Sequence, residues 1–208
     1  GVVFGDDPRQ GYFKNGVFLH PELRFQVVFP EGWATQNTAQ AVAAQSPNQD
    51  AIMQLTTGQG SPSQAAQQFF AQQGVQSSNV GNTSINGLPA VSGYFQAQTS
   101  QGAVGGLVAF VSYRNVTYQI LGYTSTAALS QYDATFRRTI ASFGPLNDAS
   151  ALNVQPARVE LVQVPRAMSV QQFNSQYPST VSAALVAIIN EVPDNGSFAA
   201  GQLAKRVR

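Results

Sequence analysis

His20 is the only histidine in this 208-residue chain, and cysteine is absent. A zinc centre draws on two or three His, or on Cys in their place. Activation of a hydroxyl nucleophile needs His beside Ser and an orienting carboxylate. A lone His20 in front of Pro21 supplies neither set, and it reads as a structural residue. The carboxylates are scattered. Asp6 and Asp7 form the one adjacent acidic pair, in a Gly- and Pro-rich opening that reads as a solvated loop. Gly58-Gln59-Gly60 precedes a helix start, as an anion-binding turn would, but no Lys follows and the three-glycine fingerprint is incomplete. Gly102 to Gly106, GAVGG, reads as a hairpin connection. No constellation here amounts to a catalytic centre, and no metal or cofactor site is expected within the chain.

The elements that position these residues centre on FLHPELRFQVVFPEGW, Phe18 to Trp33. Phe25, Val27 and Phe29 alternate with Arg24, Gln26 and Val28, the period of a half-buried strand. Pro21 and Pro30-Glu31-Gly32 punctuate its ends, and Trp33 is expected over the end of a sheet. Gly1 to Phe18 lacks periodicity and reads as a lead-in, anchored by Tyr12-Phe13 and Val17-Phe18. Strands are expected over 41–44 and 51–56. Ser61-Pro62-Ser63-Gln64 is a capping box with Pro at the first helical position, predicting a helix to about Gln73. Asn86-Gly87 marks a tight hairpin between strands 83–85 and 90–97. Arg114-Asn115 marks a second, between 107–113 and 116–123. Leu129, Tyr132, Phe136, Ile140 and Phe143 step by three and four, the stripe of an amphipathic helix ending at Gly144-Pro145. This order predicts an α+β fold, an antiparallel sheet with packed helices, over residues 19–147.

After a linker of small and polar residues the pattern changes. A strand over 159–164, a capping box at Ser169-Val170-Gln171-Gln172, a helix opened by Thr180 or Ser182, and a last strand from Leu203 to Val207 predict a compact βααβ unit over 156–208.

Charged residues make up 10 % of the chain and the formal net charge is +1, without the basic stripe of a nucleic-acid binder. No apolar run approaches the ~20 residues of a membrane span. Absence of cysteine with a neutral, Gln- and Ser-rich surface fits an extracytoplasmic bacterial protein, periplasmic or associated with the cell envelope. The opening GVVFGDDPRQGYF reads as the inside of a longer protein.

GDDPRQGYF with FLHPELRFQVVFPEGW, and ASFGPLNDASALNVQPARVELVQVPRAMSVQQF further on, resemble the region that follows the catalytic domain in bacterial HtpX-like zinc metallopeptidases. The first part resembles a PsbP-like domain. The second resembles a LysM-type carbohydrate-binding module, through Ser169 to Tyr177, Leu185 to Asn190 and Ala200-Gly201-Gln202-Leu203. The H-E-x-x-H helix of that peptidase family is absent, so its zinc ligands and general base map onto no residue here. The resemblance implies a non-catalytic accessory region whose partners are its own upstream, zinc-bearing catalytic domain and either cell-wall glycan or a protein. A free-standing scaffold or assembly factor is the alternative, and an independent hydrolase fits the residue inventory least. If the second part binds glycan, the groove is expected between Pro165–Ser169 and Asn190–Asp194, with Arg166, Met168, Ser169, Glu191 and Val192 as contacts. LysM modules carry a small Gly-Asp-Thr-type turn where this chain reads Arg166-Ala167-Met168-Ser169.

Overall fold

The computed structural model describes residues 1–208. They divide into two compact units: Gly11–Leu152, and Gly1–Gln10 together with Asn153–Arg208.

The larger unit begins with strands β1 (Tyr12–Lys14), β2 (Val17–His20) and β3 (Phe25–Val28). The stretch read as a lead-in thus carries two short strands, too brief to show a period. β4 (Ala34–Asn37), β5 (Val42–Gln45) and β6 (Ala51–Thr57) follow, then helix α1 (Pro62–Phe70) and the long strands β7 (Val75–Ile85), β8 (Leu88–Thr99), β9 (Gly102–Tyr113) and β10 (Val116–Ser125). Helix α2 (Leu129–Ala141), a two-residue strand β11 (Gly144–Pro145) and a single turn of helix α3 (Ala149–Leu152) complete it. The main sheet is antiparallel in the order β4-β5-β6-β10-β9-β8-β7, and a small sheet runs β1-β2-β3-β11.

Strand alternation sorts the side chains between two cores. On one face Ala109, Val111, Tyr118 and Ile120 pack with Phe18, Phe25, Val27 and Phe29 of the small sheet region and with Phe136, Ile140 and Phe143. On the other, Val91, Phe95, Val108 and Phe110 pack with Ala65 and Ala66 of α1. β9 is therefore buried on both sides. Trp33 meets Tyr132 edge-on, with ring centroids 5.9 Å apart.

Both hairpin turns have φ > 0 at their two central residues, Asn86 and Gly87 in one, Arg114 and Asn115 in the other. That is the primed geometry whose twist matches the flanking strands. Asn86 also serves a neighbouring helix. Its amide donates to the carbonyls of Ala141 at 3.1 Å and Phe143 at 2.7 Å, satisfying the C-terminal end of α2.

The smaller unit is built on β12 (Val159–Gln163) paired antiparallel with β15 (Leu203–Val207), in the register Val159↔Val207. A two-residue pairing of β13 (Met168–Ser169) with β14 (Ser197–Phe198) lies beside helices α4 (Val170–Gln176) and α5 (Ala183–Ile189). Ser169 and Gln172 form the reciprocal capping box, and Ser182 caps α5. Val164, Met168, Val170, Phe173, Val186, Ala187, Phe198 and Ala204 make its core. The first residues of the chain lie against β12, with Val3 bridging Arg158 and the Phe4 amide donating to Ala157 at 2.7 Å.

Candidate functional site

In the larger unit His20, Asp50, Tyr94, Tyr132 and Asp133 are tied into the local structure. His20 Nδ1 accepts from the Leu23 amide at 3.0 Å, and its ring stacks on Phe25 with centroids 5.3 Å apart. Burial pushes its pKa below the ordinary value, against the opposing pull of Glu22. The unfolded chain therefore takes up this proton first. Stability attributable to His20 is intact above about pH 6.5 and lost as pH falls toward the lowered folded value. A His20→Asn variant keeps a side-chain acceptor and lacks the titration. The wild type should lose more thermal stability than this variant on acidification to about pH 5. Equal losses in the two proteins would refute the assignment.

Asp50 accepts from the hydroxyls of Ser46, at 2.8 Å, and Tyr132. The Tyr132 phenol, then Ser46, hold the Asp50 carboxyl below the usual range, and Asp50 in turn raises Tyr132. Thr124 donates to the Asp50 carbonyl at 2.6 Å, so the cluster closes the β5–β6 turn onto β10 and α2. Tyr94 donates to Asp133 at 2.5 Å and accepts from Arg137 at 2.7 Å, tying α2 to β8. Burial, followed by the Asp133 carboxylate, raises Tyr94. Gly58-Gln59-Gly60 is a connection clamped to β10: the Gly58 amide donates to Thr117 at 2.7 Å, and the Thr117 hydroxyl donates back to Gly60 at 2.6 Å.

In the smaller unit, Asp7 and Arg9 form a forked pair, with Nη2 donating to Oδ2 at 2.6 Å, which lowers the Asp7 carboxyl. No three of the His, Asp and Glu side chains gather into a metal-ligating group.

The expected glycan contacts divide sharply. Arg166 and Glu191 are exposed. Met168 is 4 % exposed and lies in the core, so it offers no surface to a sugar. Pairing with Phe198 fixes the parity of β13 and turns this side chain inward. The Ser169 hydroxyl is occupied, accepting from the Gln172 amide at 3.1 Å as the N-cap of α4. Val192 is half-buried against the same core. The segment facing 165–169 is also displaced from the expected one. Met168–Ser169 pairs with Ser197–Phe198, and the Val170 amide donates to Gly196 at 3.1 Å.

Asn190 explains the displacement. Its side chain donates to Lys205 O at 2.8 Å and accepts from Lys205 N at 2.7 Å, clamping the end of α5 to β15. Glu191 follows at φ +58°, the left-handed residue that ends the helix. An Asn after an apolar helical stripe was the available signal for this clamp. Two turns flank the β13–β14 pairing, 165–167 at one end and 191–196 at the other, and they carry exposed Arg166, Glu191 and Asp194.

No protein-family profile matches the chain, and no curated protein matches it. Among solved structures it is similar to cyanobacterial PsbP (CyanoP) from Synechocystis sp., with a TM-score of 0.51, 12 % identity, and coverage of 70 % of this chain and 98 % of that one. It also aligns with a protein from Bacteroides thetaiotaomicron, with a TM-score of 0.48, 11 % identity, and coverage of 86 % and 62 %. A third match is LpqN of Mycobacterium tuberculosis, described as involved in cell envelope biogenesis, with a TM-score of 0.42, 12 % identity, and coverage of 59 % and 83 %. The CyanoP match shows a PsbP-like α+β fold. No helix in the chain is long and apolar enough to cross a membrane.

Proposed function

We propose that this chain is a non-catalytic accessory region of an extracytoplasmic enzyme, and that its smaller unit holds that enzyme to glycan of the bacterial cell envelope. The HtpX-like resemblance of GDDPRQGYF and FLHPELRFQVVFPEGW supplies the enzyme class, a zinc metallopeptidase whose metal would sit in an upstream domain. The LysM-like order strand, helix, helix, strand supplies the ligand class. The observation that supports the reading is the short β13–β14 pairing, with the 165–167 turn at one end and the 191–196 turn at the other. Backbone N–H and C=O groups of these turns would meet the acetamido groups of the glycan. Arg166 and Glu191 would act at the rim, with Met168 and Ser169 serving the fold beneath.

Titration of the 208-residue chain with peptidoglycan fragments, followed by amide NMR, tests this. Shifts concentrated in 165–167 and 191–196, diminished in an Arg166→Ala variant, are the expected result. Flat titrations at millimolar fragment would overturn glycan binding here and favour the alternative, a scaffold with a protein partner.

A further inference from the structure

We infer that the larger unit carries a separate binding site for an uncharged sugar, in the groove between α1 and the edge strand β7. The groove has a volume of about 560 Å³, within the range of small-ligand sites. Its construction starts from an irregularity in β7. Ser78 pairs with Tyr94 and Gly81 with Ser92, so Asn79 and Val80 together oppose the single residue Gly93. This is a β-bulge, with Asn79 at φ +53°. Bulges re-aim side chains, and here the bulge brings Val80 over Gly93. A Cβ on Gly93 would stand 2.7 Å from Val80 Cγ2 and 2.8 Å from Phe70 Cζ. The glycine thus lets a half-exposed aromatic ring and an exposed valine close together as an apolar floor.

Around that floor stand Ser63 and Gln67 of α1 and Ser77 and Asn82 of β7. All four are exposed, and their side chains make no hydrogen bond within the chain. The contrast with their neighbours is direct. Ser61 and Gln64 are locked in the capping box, and Asn86 holds the end of α2. Hydroxyls and amides that both donate and accept, set around an aromatic ring, match the hydroxyl rim and C–H face of a pyranose. The lining holds no ionised side chain to select an anion or a cation. An extended peptide adding to the β7 edge fits less well, because the bulge interrupts the ladder such a peptide would need.

This site lies in a different unit from the turns proposed above, so one experiment separates the two. The full chain is titrated with chitotetraose, cellotetraose and maltotetraose while amide shifts are followed. With at least one of them, shifts are expected at 63–70, 77–82 and 91–94. Gln67→Ala and Asn82→Ala are exposed changes that leave the fold intact, and each should weaken that binding about fivefold. Groove shifts without changes at 165–167 and 191–196 would support this site and count against the earlier one. Changes confined to those turns, no changes with any of the three sugars, or groove shifts indifferent to both substitutions would overturn the sugar site.

Discussion

Replacing Gly106 by alanine is expected to destabilise the larger unit by about 3 kcal/mol or more, at the upper end of overpacking costs. Gly106 lies inside β9, where both faces of the sheet are covered. A Cβ there would be driven into the carbonyl oxygen of Gly122 on β10 and would stand 2.6 Å from Phe95 Cζ. The first obstacle is backbone within a hydrogen-bonded ladder, so relief requires separating two central strands. The second is a ring 7 % exposed and packed edge-on against Phe69 at 5.1 Å. Gly122→Ala meets a less severe obstacle, the fully buried Phe136 ring at 2.5 Å. It should cost about 1–3 kcal/mol. Gly81→Ala is the control. Nothing lies within 4 Å of its Cβ position, so its effect should stay within about 0.5 kcal/mol. Urea midpoints for the three variants should fall in that order. A Gly106→Ala protein within about 1 kcal/mol of wild type would show that β9 and β10 are not packed as described.

The same glycines show where sequence patterns stop being informative. GAVGG was expected to be a hairpin connection, and its first residue does end one, at φ +114°. Gly105 and Gly106 instead lie within the strand, and at Gly106 a neighbouring ring and carbonyl leave no room for a side chain. Composition cannot separate a glycine that turns from one that is crossed. β4 escaped notice because ATQN is exposed at every position and has no alternation to read. Of the long edge strand β7 only the end, 83–85, was expected, for the same reason: between Val75 and Ile85 each residue faces solvent. The sugar groove went unread with it, since a bulge is a matter of register. Legible features were those set by local chemistry: the Asn86-Gly87 turn, the capping boxes at Ser61 and Ser169, and the α2 stripe. Of the candidate contacts, Arg166 and Glu191 lie at the surface. Met168 is buried, which was not legible because a two-residue strand has no period from which to tell its inward side.

Phe173→Ala should unfold the smaller unit while the larger one stays folded. Phe173 is fully buried at the centre of that unit's core, 4.9 Å from the Phe198 ring and 5.3 Å from Tyr177. Truncating a buried Phe to Ala costs about 3–5 kcal/mol. A unit of this size buries a small share of its surface and sits near the low end of the usual range of roughly 5–15 kcal/mol. One substitution can therefore consume most of its stability. The larger unit has its own two cores, and none of their residues belongs to the smaller one. The division falls after Leu152, because Gly144–Pro145 pairs with β3 and Leu146 packs with Leu19 and Ala151, which ties the segment up to α3 to the larger unit. In amide NMR spectra of the variant, resonances of 153–208, and those of Val3 and Phe4 paired with them, should collapse to unstructured positions. Those of 11–152 should keep their wild-type shifts. Collapse of both sets would show one cooperative unit, and a variant with wild-type shifts throughout would show that Phe173 is not the centre of that core.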